Sequence, residues 1–386
     1  MSGTLRTHRD RWARRAFDLA AALTPRRRGV SPRTRIGVFL LWGIGDAVLT
    51  TPFLRALRNA YPEAHLVGIG KPWLPDLFAG ETLFDEFVTL VPPWTRHSDK
   101  YRLWSSAWRI FGREVLALRR ARLDLLISLR PDPRETALGR LLGVREFAGY
   151  AAPGGRSWVS VDLGRGVANE PTCYRGELAA RAAEALLGTL PDPVPALGHD
   201  PVPDVARRLA EAGYAGGPVL AVAFGAAHPI RRWHSTGIND TLRKLRRPPG
   251  AYLIIESDGS PRFEAPGAIP TVRWEGPLAA LKDVLGVADV LLCTDSGALH
   301  IGTAVGCRTV AIFGPGARGR FAPPGPPHVS YAVEPMPCRP CYDNCIYPSP
   351  LCMDRIDTGA VATLVDDALA QIAAPRARAA AESVGA

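Results

Sequence analysis

Lysine is nearly missing from this 386-residue chain: it stands only at positions 71, 100, 244 and 282, so the basic residues are almost all arginine. Together with abundant Ala, Gly and Pro, that is the look of codon bias in a GC-rich genome, and an isolated Arg carries less functional weight than usual. No apolar run reaches the length of a membrane span, which excludes an ordinary transmembrane helix. Asp-x-Asp occurs nowhere, so there is no obvious carboxylate pair to hold a diphosphate through Mg²⁺. Gly-x4-Gly-Lys-Ser/Thr is also absent, which removes a Walker A loop, and Val48 stands where a dinucleotide fingerprint needs its third Gly. Seven cysteines, an odd number with four clustered, suit a reducing cytoplasm better than a disulfide framework.

The formal charge of +10 suggests nucleic acid until it is located. Residues 1–35 carry ten Arg against Asp10 and Asp18, a net of +8, which leaves the remainder near +2. The body is close to neutral, so nucleic acid is not an expected partner. Within the extension, Arg6–Leu23 puts Trp12, Ala16, Leu19 or Ala20 and Leu23 on one helical face with Arg9, Arg11, Arg14 and Arg15 elsewhere. Such a helix suits an anionic membrane surface, and a solvated extension has the same composition. The twin-arginine start at Arg14-Arg15 is followed by an apolar stretch too short for an export signal.

The chain is long enough for two α/β domains with full cores. Strand and helix patterns alternate: Ile36–Trp42 strand, Ala47–Asn59 helix, strands at His65–Ile69, Glu86–Leu90 and Leu123–Leu129, helices at Trp104–Arg122 and Tyr174–Leu187. After a Pro-rich stretch the pattern repeats, with Pro218–Ala223 strand, Ser235–Arg246 helix, Tyr252–Glu256 strand and Leu278–Val287 helix. This order predicts doubly wound parallel sheets. The divisions are a basic extension 1–34, a first domain 35–190, a linker 191–203, a second domain 204–373 with a Cys-rich loop 338–352, and a tail 374–386. A ligand cleft between the two domains is expected.

Leu291–Gly314 reads as a βαβ unit with Thr-Asp-Ser-Gly at its first turn. A helix starting at a strand's carboxyl end aims free N–H groups at a ligand. Ser296 can cap that helix, Gly297 allows close backbone approach, and Asp295 can accept bonds from sugar hydroxyls; a helix cap on a buried crossover has the same sequence. His300, one turn later, is expected to position rather than catalyse. Gly43-Ile44-Gly45-Asp46 is the turn after the first strand. Asp46 there can take a proton from an attacking hydroxyl, or simply cap the following helix. Arg231 and Arg232, in His228–Trp233, are cations able to hold phosphate, or a solvated loop. Cys338, Cys341, Cys345 and Cys352 have spacing compatible with a structural all-thiolate zinc site and equally with free thiols; no catalytic metal and no cofactor is expected.

Two stretches carry a resemblance. IGVFLLWGIGDAVLTTPFLRALRNAYPEAHLVGIG has a strand, a Gly-Asp turn and a helix ending in Tyr-Pro, and DSGALHIGTAVGCRTVAIFGP has Asp-Ser-Gly-x-x-His leading to a Phe-Gly-Pro strand end. Over residues 35–372 the chain resembles glycosyltransferase family 9, the ADP-heptose:lipopolysaccharide heptosyltransferases. The resemblance implies a GT-B fold of two Rossmann-like domains facing a central cleft. It also implies an inverting, metal-independent transfer with Asp46 as general base on the acceptor side, Gly43 and Gly45 shaping its turn. Ser296 and Gly297 would hold the diphosphate, Asp295 the donor sugar, and Arg231 would replace the family's phosphate-contacting lysine. His234 follows Trp233 where the family has Pro. Glu256-Ser257-Asp258-Gly259 is where ribose or adenine contacts are expected. The implied partners are a nucleotide-sugar, most simply ADP-heptose, and a lipid-linked core acceptor, at the cytoplasmic face of the inner membrane. A nucleotide-sugar epimerase of the same architecture and a non-catalytic, zinc-stapled sugar-binding module are the rival readings.

Overall fold

The computed structural model describes residues 33–95, 106–151, 158–164, 173–257, 259–341 and 343–373. The expected N-terminal helix, the tail from 374 and Asp258 lie outside the described residues. The chain divides into two units, Met1–Glu170 with Gly176–Pro193 and Pro171–Arg175 with Val194–Ala386.

In unit 1 the strands are β1 (Arg35–Leu40), β2 (His65–Gly70), β3 (Glu86–Thr89), β4 (Leu125–Ser128), β5 (Glu146–Gly149) and β6 (Val161–Asp162). They form one sheet in the order β3-β2-β1-β4-β5-β6, parallel throughout. The helices are α1 (Ile44–Val48), α2 (Thr51–Ala60), α3 (Leu74–Leu77), α4 (Ser106–Arg119), α5 (Pro133–Leu142) and α6 (Arg175–Leu187), the last lying in this unit from its second residue. Ile36, Val38, Val67, Ile69 and Leu126 are buried to 0% exposure, as unbroken apolar runs require in a sheet covered on both faces.

The helix expected at Ala47–Asn59 is two helices. Pro52 has no N–H to give the Val48 carbonyl, and the Thr51 hydroxyl takes that acceptor at 2.8 Å, while Thr50 Oγ1 bonds the Ala47 carbonyl at 2.6 Å. The backbone therefore tightens at residues 49–50 and α2 restarts with its proline in the first turn, where the missing donor costs nothing.

Unit 2 holds β7 (Val219–Ala223), β8 (Ala251–Glu256), β9 (Thr271–Glu275), β10 (Val290–Thr294), β11 (Arg308–Ile312) and β12 (Val329–Tyr331), in the order β12-β11-β10-β7-β8-β9, again all parallel. Its helices are α7 (Pro203–Glu211), α8 (Ser235–Arg243), α9 (Leu278–Gly286), α10 (Gly297–Ala304), α11 (Arg318–Phe321), α12 (Leu351–Asp354) and α13 (Thr358–Ala370). Leu220, Val222, Ile238, Leu292, Val310 and Val361 form its core with Trp233 and Tyr252.

Numbered within each unit, both sheets run 3-2-1-4-5-6. The connection reverses direction between the first and fourth strands, and the carboxyl ends of those two strands border a crevice. That crevice lies beyond β1 and β4 in unit 1 and beyond β7 and β10 in unit 2.

Candidate active site

In unit 1, Asp46 is the third residue of α1. Its Oδ2 accepts from the Gly43 N–H at 3.3 Å, and its Oδ1 accepts from Arg130 Nη1 at 2.9 Å. Arg130 follows β4, so the pair spans the reversal point. The guanidinium lies over the Trp42 indole, 4.0 Å from the ring centroid. Trp42 Nε1 donates in turn to Glu135 Oε1 at 2.5 Å, and Ser128 Oγ donates to Glu135 Oε2 at 2.5 Å. Glu135 is 1% exposed, and burial pushes its carboxyl up to about 7 against the two hydrogen bonds that favour the ionised form. Lys71, after β2, donates to the Thr95 carbonyl at 3.3 Å; burial lowers its ammonium pKa and the Asp46 charge opposes that shift.

Gly43 and Gly45 do not take left-handed backbone: Gly43 is extended, with φ −97° and ψ 164°. A Cβ on Gly43 would touch only Asp46 Oδ2, at 3.4 Å, so glycine there serves space beside the carboxylate rather than a strained turn.

In unit 2 the signs are exchanged. Arg231, at the end of the short 3₁₀ turn Pro229–Arg231 after β7, donates from Nη1 to Oδ2 of Asp295, which directly follows β10, at 3.4 Å. Arg231 Nε and Nη2 also donate to Asp343 Oδ1 and Oδ2 at 2.7 and 3.0 Å, a bidentate pair with the Cys-rich loop. Asp295 is 5% exposed and fits against Gly316, where a Cβ would lie 2.2 Å from Oδ2.

Ser296 occupies the N-cap of α10 with extended backbone, but its side chain makes no capping bond. The expectation of a capping hydroxyl is corrected: Oγ is buried and without a hydrogen-bond partner, as is Oγ1 of Thr294, the last residue of β10, two positions earlier. Gly297 opens the helix, and His300, buried in its second turn, meets Phe321 edge-on with ring centroids 6.4 Å apart. Glu256, at the end of β8, is engaged by Arg273 Nη1 at 2.7 Å.

Trp233 is 1% exposed beneath Gly237, so its part in the Arg-x-Trp turn is packing. His234 caps α8, its Nδ1 accepting from the Gly237 N–H at 3.0 Å. Arg232 donates to the Ala226 carbonyl at 3.0 Å and lies where a Cβ on Gly259 would fall, so it holds neighbouring loops together. Cys338, Cys341, Cys345 and Cys352 line one cavity with Ile230 and Gly314, and burial raises the Cys341 and Cys352 thiols. Among the described residues no group of three or more His, Cys, Asp or Glu side chains is arranged to hold a metal ion.

Asp46, Arg231 and Asp295 are expected from the sequence, whereas the residues the structure places beside them, Arg130, Trp42, Glu135, Lys71 and Asp343, are not. Arg130 had a signal, a charged residue directly after a buried strand run. Glu135 had none, because an acidic residue after Asp132-Pro133-Arg134 reads as an ordinary helix first turn.

Residues 275–348 match the model of glycosyltransferase family 9 (heptosyltransferase). The chain is 24% identical over 356 residues to lipopolysaccharide heptosyltransferase 1 of Pseudomonas aeruginosa, covering 84% of this chain and 94% of that protein. A family 9 glycosyl transferase from Veillonella parvula superposes with a TM-score of 0.61 at 18% identity, covering 89% of this chain and 99% of the other. E. coli ADP-heptose lps heptosyltransferase II also gives 0.61, at 14% identity and coverages of 87% and 99%.

Two parallel sheets of one strand order, each with a charged pair at its reversal point, have the architecture of the GT-B glycosyltransferases. In sequence and in fold the chain resembles glycosyltransferase family 9. No helix among its described residues is long and apolar enough to cross a membrane.

Proposed function

We propose that this protein is an inverting, metal-independent heptosyltransferase that moves heptose from ADP-heptose onto a lipopolysaccharide core or related glycan. The observation that carries the reading is the buried, unpartnered Ser296 hydroxyl at the N-terminus of α10, next to the Asp295 carboxylate that Arg231 bonds. A diphosphate supplies the acceptor this hydroxyl lacks and takes the free N–H groups of the helix start, with Gly297 permitting close approach. Arg231 stabilises the leaving diphosphate, Asp295 and His300 hold the sugar side, and Glu256 marks the nucleoside side.

The acceptor binds at unit 1. Asp46 Oδ1 or Oδ2 takes the proton of its hydroxyl as that oxygen forms a bond to the anomeric carbon. The bond from that carbon to the diphosphate breaks on the opposite face, ADP departs, and the configuration inverts. Gly43 leaves room beside the carboxylate. The basic N-terminal segment keeps the enzyme at the anionic inner face of the inner membrane, where a lipid-linked acceptor lies.

The test is ADP release from a panel of nucleotide-sugars, with and without truncated lipopolysaccharide, in buffer containing EDTA. Acceptor-dependent release from ADP-heptose that disappears in Asp46→Asn is the expected result. Release without acceptor makes the protein an epimerase or hydrolase, and release from another donor overturns the heptose assignment alone.

A further inference from the structure

The buried carboxyl of Glu135 is joined to Asp46 through a chain of three short contacts. Glu135 Oε1 accepts from the Trp42 indole at 2.5 Å, the indole face carries the Arg130 guanidinium at 4.0 Å, and Arg130 donates to Asp46 at 2.9 Å. These residues come from α5, the β1–α1 turn and the end of β4, so no local turn geometry explains their alignment.

We propose that Glu135 is a positioning residue for the general base, setting the Asp46 carboxylate through the Trp42 ring and the Arg130 guanidinium; this rests on the reading of Asp46 as base. The indole is the floor on which Arg130 lies, and its one hydrogen-bonding group is spent on Glu135. With that bond removed the ring is free to turn about its side-chain torsions. Arg130 then loses its stacking surface, and the contact that holds Asp46 Oδ1 loses its alignment. An apolar side chain would fill the Glu135 site without desolvating a carboxyl, whereas a carboxyl there accepts from Ser128 and Trp42 together.

The charge state of Glu135 enters through the same contact. The groups acting on it are Ser128 from β4, Trp42 from the β1–α1 turn, and Asp132 and Arg130 from the β4–α5 loop; Asp132 favours its neutral form and Arg130 its ionised form. An ionised carboxylate is the stronger acceptor for the indole N–H. Turnover therefore rises as pH climbs through about 7, where this carboxyl titrates.

The experiment measures kcat, donor KM and the pH profile of acceptor-dependent ADP release for the full-length wild type, Glu135→Gln, Trp42→Phe and Asp46→Asn. Expected for Glu135→Gln are a fall in kcat of up to roughly a hundredfold, the scale for a misplaced catalytic group, an unchanged donor KM, and loss of the limb near pH 7. Trp42→Phe keeps a ring under Arg130 but removes the N–H, so it shows the same fall and the same lost limb. It carries the test if Glu135→Gln does not fold. Wild-type kcat and pH profile in either variant, with Asp46→Asn inactive, overturn the positioning role and leave the base assignment standing. Wild-type turnover in Asp46→Asn overturns the base assignment and this inference with it.

Discussion

Arg231 and Asp343 are 112 residues apart in sequence and form a bidentate pair, with Nε and Nη2 of the guanidinium on the two carboxylate oxygens at 2.7 and 3.0 Å. Asp343 has a φ of 70°, a left-handed conformation that a non-glycine residue adopts at a cost. It stands between Cys341 and Cys345. The Cys-rich loop thus delivers one carboxylate to Arg231, the cation proposed to hold the donor diphosphate.

If Arg231 holds the donor diphosphate as proposed, that pairing makes the loop part of donor recognition. Asp343→Asn keeps the shape of the side chain and halves the strength of its contact with Arg231, leaving the guanidinium less well aimed. The expected result is a rise in donor KM of about 3- to 10-fold with little change in kcat, whereas Arg231→Ala lowers kcat as well. Steady-state kinetics at saturating acceptor separate the two. An unchanged KM in Asp343→Asn means that the loop does not aim Arg231.

Glu135 also sets a pH dependence of stability, with a sign opposite to that of an ordinary paired carboxylate. Its carboxyl stays protonated up to about 7 in the folded chain, against 4.5 as the ordinary value. Between those limits the folded state binds the extra proton. The contribution is therefore fully present below the lower value and is lost as pH rises to the upper one, about 3 kcal/mol in all. Glu135→Gln removes this loss. Thermal melts at pH 5 and pH 8 are expected to show the variant gaining stability over wild type at pH 8 and not at pH 5, even though its turnover falls. A variant equally destabilised at both pH values contradicts the burial account.

Gly316 is predicted to be intolerant of any side chain. A methyl group there meets Asp295 Oδ2 at 2.2 Å, and the carboxylate can move only by leaving Arg231. Gly316→Ala is expected to cost about 1–3 kcal/mol and to weaken donor binding together with stability. Gly112→Ala is the control. That glycine lies within α4 with nothing within 4 Å of the added atom, so the substitution should stabilise by about 0.5–1 kcal/mol. Denaturant titration and donor binding of both variants check the pair, and a neutral Gly316→Ala would show that Asp295 moves freely.

Apolar runs alternating with amphipathic stretches were enough to specify strand-then-helix units, because a strand buried on both faces has to be apolar along its whole length. The same runs end at Trp42 and Thr294, which is why Asp46 and Asp295 were legible as polar groups at strand ends. What they bond was not legible. The order 3-2-1-4-5-6 puts the fourth strand beside the first, so Arg130 reaches Asp46 across 84 residues and Arg231 reaches Asp295 across 64. Strand order is decided by how helices cover the sheet, not by any single segment. Ser296 fails for a related reason: its position as N-cap follows from the Asp-Ser-Gly sequence, but the direction of its hydroxyl is set by packing around it. The sequence alone determined the alternation of elements and the two acidic residues at strand ends. The tertiary structure decided their partners, Arg130 over Trp42, Glu135 behind it and Asp343 on Arg231, because each of those contacts closes a loop of many tens of residues that only the packed sheet can bring together.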